Sequence, residues 1–239
     1  MLRDYQIEMK TRLMEAWKAH RSVMVQMPTG TGKTHLLASV VSEFVSSAGS
    51  GVWLIAHRRE LVAQMEETLA KYGIRREDTP VRVMSVQWLS RHWNEAGDAP
   101  GLIVIDEAHH ALAASYTEMW KRYPAAKKLG VTATPCRLNR RGFTELFEVL
   151  VTSWSIAEFI EKGVLSVFDY VSIRPGSEEQ RLIDGLEKRG ADGDYQVKEM
   201  DAVLNRRPGI ERLYRSVRQF ASGKKGMVYA ISIEHARRI

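Results

Sequence analysis

Two rhythms of apolar spacing alternate along the chain. From Leu2 to Ala19, Ile7, Leu13, Met14 and Trp17 fall near one face at helical spacing, which predicts a helix. Ser22–Met27 (SVMVQM) is then short and mostly apolar, as a strand is, and Lys33–Ser47 predicts a helix that opens straight out of a glycine-rich turn. Gly51–Ala56 (GVWLIA) predicts a strand and Arg59–Tyr72 a helix; Val81–Ser85 and the wholly apolar Gly101–Ile105 (GLIVI) predict further strands, and Lys127–Thr132 (KKLGVT) closes the series. Strands that are apolar on both faces and separated by helices belong to a parallel sheet covered on both sides, an α/β fold. In such sheets ligands bind beyond the carboxyl ends of the strands.

The later part changes character. Ser155–Lys162 predicts a helix that ends at Gly163, and Phe168–Ile173 predicts a new strand. Pro175 to Asp194 is polar with a helical stretch over Glu178–Arg189, Asp201–Ala221 predicts a helix interrupted or restarted at Pro208, and Met227–Ile231 predicts a last strand. The expected domain boundary lies near Gly163–Val167, with residues 1–165 as one domain and 166–239 as the start of another. The chain carries no repeat and no low-complexity tract.

Composition narrows the class only moderately. At 239 residues, 44% hydrophobic and 27% charged, the chain reads as an ordinary soluble globular protein. No apolar run approaches the roughly 18 residues that span a membrane, and the first residues lack the apolar core of a signal peptide. A single cysteine, Cys136, excludes an internal disulfide framework and a multi-cysteine metal site, and fits a reducing, cytoplasmic setting. A net charge of +6 favours polyanionic partners, although most of the scattered basic doublets read as solvated faces and helix ends.

Candidate chemistry sits at the strand ends. Between the first strand and its helix runs Met27-Pro28-Thr29-Gly30-Thr31-Gly32-Lys33-Thr34. Gly30 and Gly32 let the backbone curl round a phosphate without a Cβ in the way, so that Thr29, Gly30, Thr31 and Gly32 form a cradle of N–H groups at a helix N-terminus. Lys33 is placed to reach the β- and γ-phosphates of ATP and Thr34 to ligate Mg²⁺. The general pattern has glycine where this chain has Met27. After the apolar strand Gly101–Ile105 comes Asp106-Glu107-Ala108-His109. Asp106 suits a carboxylate that holds Mg²⁺ against the phosphates, Glu107 suits the base that takes a proton from the attacking water, and His109 suits a sensor of the γ-phosphate or a contact to the next motif.

Together these segments resemble the motor core of superfamily 2 DEAD/DEAH-box helicases. Pro28 to Thr34 resembles motif I of that family and Asp106-Glu107-Ala108-His109 the DEAH form of motif II. Thr132-Ala133-Thr134-Pro135 resembles motif III, which implies that Thr132 and Thr134 couple hydrolysis to movement on nucleic acid. Leu2 to Gln6 is similar to the glutamine motif, which implies adenine contact by Gln6 with Arg3 nearby. Ala56 to Gln64 resembles motif Ia and Ser85-Val86-Gln87 the segment after it, which implies backbone contacts to nucleic acid by Arg58, Gln64, Ser85 and Gln87, without sequence readout. Met227–Ile231 with Glu234-His235-Ala236 resembles motif IV. All occur in the family's order, and their details are most similar to bacterial RadD-type DNA-repair ATPases. The resemblance implies a RecA-like P-loop NTPase domain, the opening of a second RecA-like domain, ATP and Mg²⁺ as cofactors, and a nucleic-acid partner, with DNA favoured over RNA and no membrane.

Motif VI of that family, with its Gln-x-x-Gly-Arg signature, does not occur, and no Gly-Arg dipeptide exists in the chain. Its arginine finger is worth roughly 10³–10⁵ in rate for related phosphoryl transfers. The chain therefore reads as a fragment truncated after motif IV, an ATP hydrolase with little turnover alone. Its incomplete second domain is expected to be mobile or to meet a protein partner or a second copy. Two other readings stand beside the motor: a nucleotide-gated nucleic-acid-binding or scaffold module, and the motor segment of a restriction or excision-repair subunit. Trp88 and Trp93 are read as core residues in preference to base-stacking ones. A transporter-type ATPase is disfavoured, since it needs neither Thr132–Pro135 nor the DEAH spacing.

Overall fold

The computed structural model describes residues 2–57, 59–110, 114–135, 143–171, 177–190 and 194–239. They form two compact units, Met1–Val167 and Phe168–Ile239.

In the first unit, α1 (Asp4–Ala19) buries Tyr5, Met9, Leu13 and Trp17, four residues apart, together with Gln6. The expected face was drawn through Ile7, but Ile7 is 50% exposed, because the four-residue rows set the buried stripe one residue round the helix. The chain continues through β1 (Ser22–Gln26), α2 (Lys33–Ala48), β2 (Val52–Ala56), α3 (Glu60–Ala70), β3 (Val81–Ser85), the single turn α4 (Val86–Leu89), β4 (Leu102–Asp106), α5 (Ala114–Arg122), β5 (Lys127–Thr132), β6 (Val149–Thr152) and α6 (Ile156–Glu161). The six strands form one parallel sheet in the order β3-β2-β4-β5-β1-β6. The strand β6 and the helix α5 were not anticipated from the sequence.

Both faces of the sheet are covered, which is why its inner strands β2 and β4 lack apolar-polar alternation. Val23, Val25, Leu54, Val104 and Val131 pack on one face with residues of α1, α2 and α6. Met24, Trp53, Ile55, Ile103 and Ile105 pack on the other with residues of α4 and α5. These side chains are almost completely buried, each worth about 1.5–3 kcal/mol relative to exposure. The register pairs Gln26 with Thr132 and Asp106 with Val131. The carboxyl ends of β1, β5 and β4 therefore lie side by side.

The second unit contains α7 (Ser177–Asp184), α8 (Val197–Leu204), α9 (Arg207–Phe220) and α10 (Ile233–Arg238). The single helix expected over Asp201–Ala221 is two, with Pro208 in the first turn of α9, where its missing N–H costs nothing. The strands expected over Phe168–Ile173 and Met227–Ile231 do not form in the described residues. A strand exists through its neighbours, and among the described residues neither segment has a ladder partner; Phe168, Tyr170, Met227 and Tyr229 remain 68–89% exposed. Arg238 ties α10 to the end of α8, donating to the backbone carbonyl of Asn205 at 2.8 Å. Among the described residues, no helix is long and apolar enough to cross a membrane.

Candidate active site at the strand ends

The loop between β1 and α2 turns on glycines. Gly30 has φ 85° and Gly32 φ 80°, a region that side-chain-bearing residues rarely enter. A Cβ on Gly32 would also run into the side-chain amide of Gln6. Gly32 is the N-cap of α2 and offers no side chain to it; the His35 and Leu36 N–H groups already donate to the Gly32 carbonyl, which leaves the N–H groups of Lys33 and Thr34 to face an anion. Thr31 anchors the loop inward: it is fully buried, and its hydroxyl donates to the Pro28 carbonyl at 2.7 Å. Lys33 is half-buried, while Thr29, Gly30 and Thr34 are exposed at the mouth of the turn.

α1 braces this loop from behind. Tyr5 donates its phenol O–H to the Thr31 carbonyl at 2.9 Å. Gln6 Nε2 donates to the carbonyls of Thr31 (3.1 Å) and Gly32 (3.2 Å), and Gln6 Oε1 accepts from the Arg3 N–H at 2.9 Å. Gln6 is 3% exposed, so in this structure its amide holds the loop backbone and the helix cap, and Arg3 stands exposed beside it. Tyr5 escapes a sequence reading because it occupies the same apolar stripe as Met9 and Leu13, where an aromatic reads as core.

Across β5, Asp106 is the last residue of β4, and Glu107 follows it with φ 50°. For a residue with a side chain this left-handed conformation costs about 1–2 kcal/mol, and such strain clusters at functional sites. Asp106 Oδ1 accepts the Glu107 N–H at 3.0 Å. Burial, and then the neighbouring Glu107 charge, push the Asp106 carboxyl above its ordinary range; the Glu107 N–H, Lys33 and His109 act in the opposite direction. A buried carboxylate beside a second one is a site that gains from a cation. Among the described residues no three His, Cys, Asp or Glu side chains cluster as a metal cage. The hard oxygens of Thr34 and Asp106 instead suit Mg²⁺, which binds through one or two protein ligands and the phosphates of its substrate.

His109 links the acidic segment to β5. Its Nδ1 lies 2.9 Å from Thr132 Oγ1 and 3.4 Å from Glu107 Oε2. Thr132 is fully buried, and its hydroxyl accepts the Thr134 N–H at 3.1 Å. The structure thus joins Glu107, His109, Thr132 and Thr134 into one polar chain, with the Glu107 side chain 42% exposed at its open end. A half-exposed carboxylate oriented by an imidazole can hold and deprotonate a water.

The residues expected to meet nucleic acid are less uniform. Arg58 lies outside the described residues. Gln64 is exposed on α3, and Gln87 is exposed while donating to the His57 carbonyl at 2.6 Å, which ties the ends of β2 and β3 together. Ser85 is buried, and its hydroxyl caps α4 by accepting the Trp88 N–H at 3.2 Å. The expectation of a core role fails for Trp88, which is 38% exposed. Trp93 is half-buried, with the Arg122 guanidinium 4.9 Å above its ring.

Residues 1–137 match the family profile described as type III restriction enzyme, res subunit. The chain is 26% identical over 267 aligned residues to the putative ATP-dependent helicase IRC3 of Saccharomyces cerevisiae, covering 99% of this chain and 38% of that protein. It is 28% identical over 205 residues to the DNA 3'-5' translocase XPB2 of Sulfurisphaera tokodaii, covering 79% of this chain and 44% of that one. The chain thus spans less than half the length of these curated relatives. The crystal structure of the UvsW helicase from bacteriophage T4 superposes with a TM-score of 0.53 at 17% identity, over 63% of this chain and 59% of that one, and shows the fold to be the RecA-like fold of helicases.

Proposed function

This chain belongs to the family of type III restriction enzyme res subunits, and on that premise we propose that it is the nucleotide-binding half of an ATP-driven motor that acts on nucleic acid, DNA in preference to RNA. The observation that carries the reading is the polar chain from Glu107 through His109 to Thr132 and Thr134, facing a glycine cradle across one strand. The names of the relatives, an ATP-dependent helicase and a DNA translocase, support it.

In this reading the N–H groups of Lys33 and Thr34 and the Lys33 ammonium bind the phosphates, Arg3 meets the base, and Gln6 meets it only by exchanging its bonds to the loop carbonyls for the base edge. Thr34 and Asp106 hold Mg²⁺, which when bound neutralises charge on the phosphates and aligns them. Glu107 takes the proton of the attacking water on its carboxylate, while His109 orients that carboxylate. Thr132 and Thr134 move with His109 and pass the change to the nucleic-acid side, where Arg58, Gln64 and Gln87 meet the phosphate backbone and the buried Ser85 shapes that edge by capping α4. Residues 166–239 are the opening of a second RecA-like domain, and its exposed apolar segments meet a protein partner or a second copy. Turnover by these residues alone is slow, because the Gln-x-x-Gly-Arg segment that supplies arginine fingers is not among them. The work is done in the cytoplasm. A second reading, the motor segment of a restriction subunit, is favoured by the family match; it differs in what accompanies the site and leaves the chemistry of the site unchanged.

The test is ATP hydrolysis with and without single-stranded DNA, duplex DNA and RNA, with Lys33→Ala as control and nucleotide binding measured in parallel. Stimulation by DNA that disappears in the variant is the expected result. Nucleotide binding with no turnover under any condition would replace the motor by a nucleotide-gated binding module. A rate untouched by Lys33→Ala would overturn the assignment of the site.

A further inference from the structure

Trp88 and His92 are four residues apart, and their rings stack in parallel, with centroids 4.9 Å apart and planes 10° from each other. The backbone of Trp88 and the ring of His92 are held. The Trp88 N–H is taken by Ser85 Oγ at 3.2 Å, and the Trp88 carbonyl lies 2.8 Å from His92 Nδ1. A carbonyl only accepts, so Nδ1 carries the proton and the imidazole is fixed in one tautomer. A single exposed tryptophan is ordinary; its setting is what bears on function. The pair borders a groove of about 1080 Å³ alongside Gln87, Arg59, Arg76 and Arg91. Its lining holds four arginines against three glutamates. The fourth arginine, Arg82, is held by the Ala96 carbonyl at 2.9 Å, whereas Arg59, Arg76 and Arg91 make no ion pair among the described residues.

We propose that Trp88 and His92 form a pre-stacked platform for the bases of a single-stranded nucleic acid whose phosphates run along Arg59 and Arg91. The proposal rests on the nucleic-acid reading above and goes beyond backbone contact. An aromatic face beside cations that can follow a phosphate backbone is what single-strand binders combine, and here Arg59 and Arg91 supply the cations in a groove with only a slight basic excess; every base offers a π-face, so the platform is indifferent to sequence. A duplex keeps its bases stacked inside and presents only phosphates to such a groove. Two rings already stacked on each other, one of them hydrogen-bonded at Nδ1, lose less freedom than separate rings when a base is added to the pile.

The test is fluorescence anisotropy of the 239-residue chain with labelled 20-nucleotide oligo(dT), an abasic strand of the same length, and a duplex. Wild type is expected to bind oligo(dT) more tightly than the abasic strand. Trp88→Ala should weaken oligo(dT) binding roughly five- to a hundredfold and leave abasic binding unchanged, while Trp88→Phe keeps most of the affinity. Arg91→Ala should weaken both strands alike and flatten the salt dependence. Equal binding of oligo(dT) and abasic strand by wild type, full affinity in Trp88→Ala, or preference for the duplex would overturn the platform alone. Binding of no nucleic acid at all, with nucleotide binding intact, would overturn the nucleic-acid reading and the platform with it.

Discussion

Gly130 lies on β5, paired with Met24 on one side and Ile105 on the other. A Cβ there would stand 2.5 Å from Phe147 Cζ and 2.8 Å from Ala108 Cβ. Carbon atoms settle at about 3.5–4.0 Å, so Gly130→Ala asks its neighbours to yield by about 1 Å. Neither has room. The Phe147 ring is buried and packs edge-on against Trp120 at 5.5 Å, and Ala108 sits between Glu107 and His109. Overpacking of this kind costs about 1–3 kcal/mol, which for a unit of this size lowers Tm by roughly 3–10 °C. The displacement of Ala108 also reaches the segment proposed to be catalytic, so on that reading the rate of ATP hydrolysis should fall at temperatures where the variant is folded, with less change in nucleotide binding at the loop on the far side of β5. Thermal unfolding of the variant checks the first effect. Gly130→Ala combined with Phe147→Leu checks its cause, because leucine removes the ring atoms that the new methyl meets. A variant that melts within a degree of wild type, or a double mutant whose losses simply add, would refute the packing account.

Thr132→Val keeps the volume and leaves the Thr134 N–H and His109 Nδ1 without their shared hydroxyl; the expected loss is about 1–3 kcal/mol of stability, with hydrolysis reduced and ATP affinity kept, and a wild-type melt and rate would count against it. Glu148 accepts the N–H groups of Arg21 (2.6 Å) and Ser22 (3.1 Å), and the Ser22 bond first of all holds its carboxyl below the ordinary range. A carboxyl depressed in the folded state stabilises above its unfolded pKa, and that gain is lost as pH falls through the folded value. The stability gap between wild type and Glu148→Gln in urea unfolding should therefore be full at neutral pH and close in acid; a gap independent of pH would exclude the charge as its source. Lys128 is 3% exposed, and burial first, then the charge of Arg21, pushes its ammonium below the ordinary lysine range. Such a depressed base gains stability as pH rises from its folded towards its unfolded pKa. Lys128→Met should be neutral or stabilising at pH 7 by chemical denaturation and should remove that alkaline gain; a loss beyond about 2 kcal/mol would show that the bond from Nζ to the Pro124 carbonyl outweighs desolvation.

Much of the first unit was legible because buried strands leave apolar runs, as β1, β2 and β4 do, while β3 and β5 stood out by short apolar stretches beside charged residues. The sixth was not: of the four residues of β6 only Val151 is buried, so no run marks it. The motif residues were legible as types and spacings, but their engagement was not. That Gln6 turns its amide onto the phosphate loop depends on α1 lying behind that loop, a contact across 25 residues of sequence. That Trp88 is exposed depends on α4 being a single turn at the sheet's edge, whereas tryptophan as a residue type argues for burial. The strands expected at Phe168 and Met227 failed for the converse reason, since β-branched and aromatic content expresses a preference that only a neighbouring strand can satisfy.

The order of the strands turns separate motifs into one site. Adjacent strands lie about 4.8 Å apart, so with β5 inserted between β1 and β4 the ends of the latter two stand about 10 Å apart, a gap suited to phosphates with a cation between them. Thr132 ends the inserted strand, level with Gln26 and one residue from the level of Asp106, so it is the residue able to touch whatever happens on either side. The chain bends sharply at both flanking ends, and it does so differently. At the phosphate loop nothing but backbone is needed, and glycines take the left-handed turns without strain. At Glu107 the left-handed turn is kept in a residue that resists it, as the proposed role of its side chain would require. Strain retained where glycine would relieve it is a sign that the carboxylate at that point is there for chemistry.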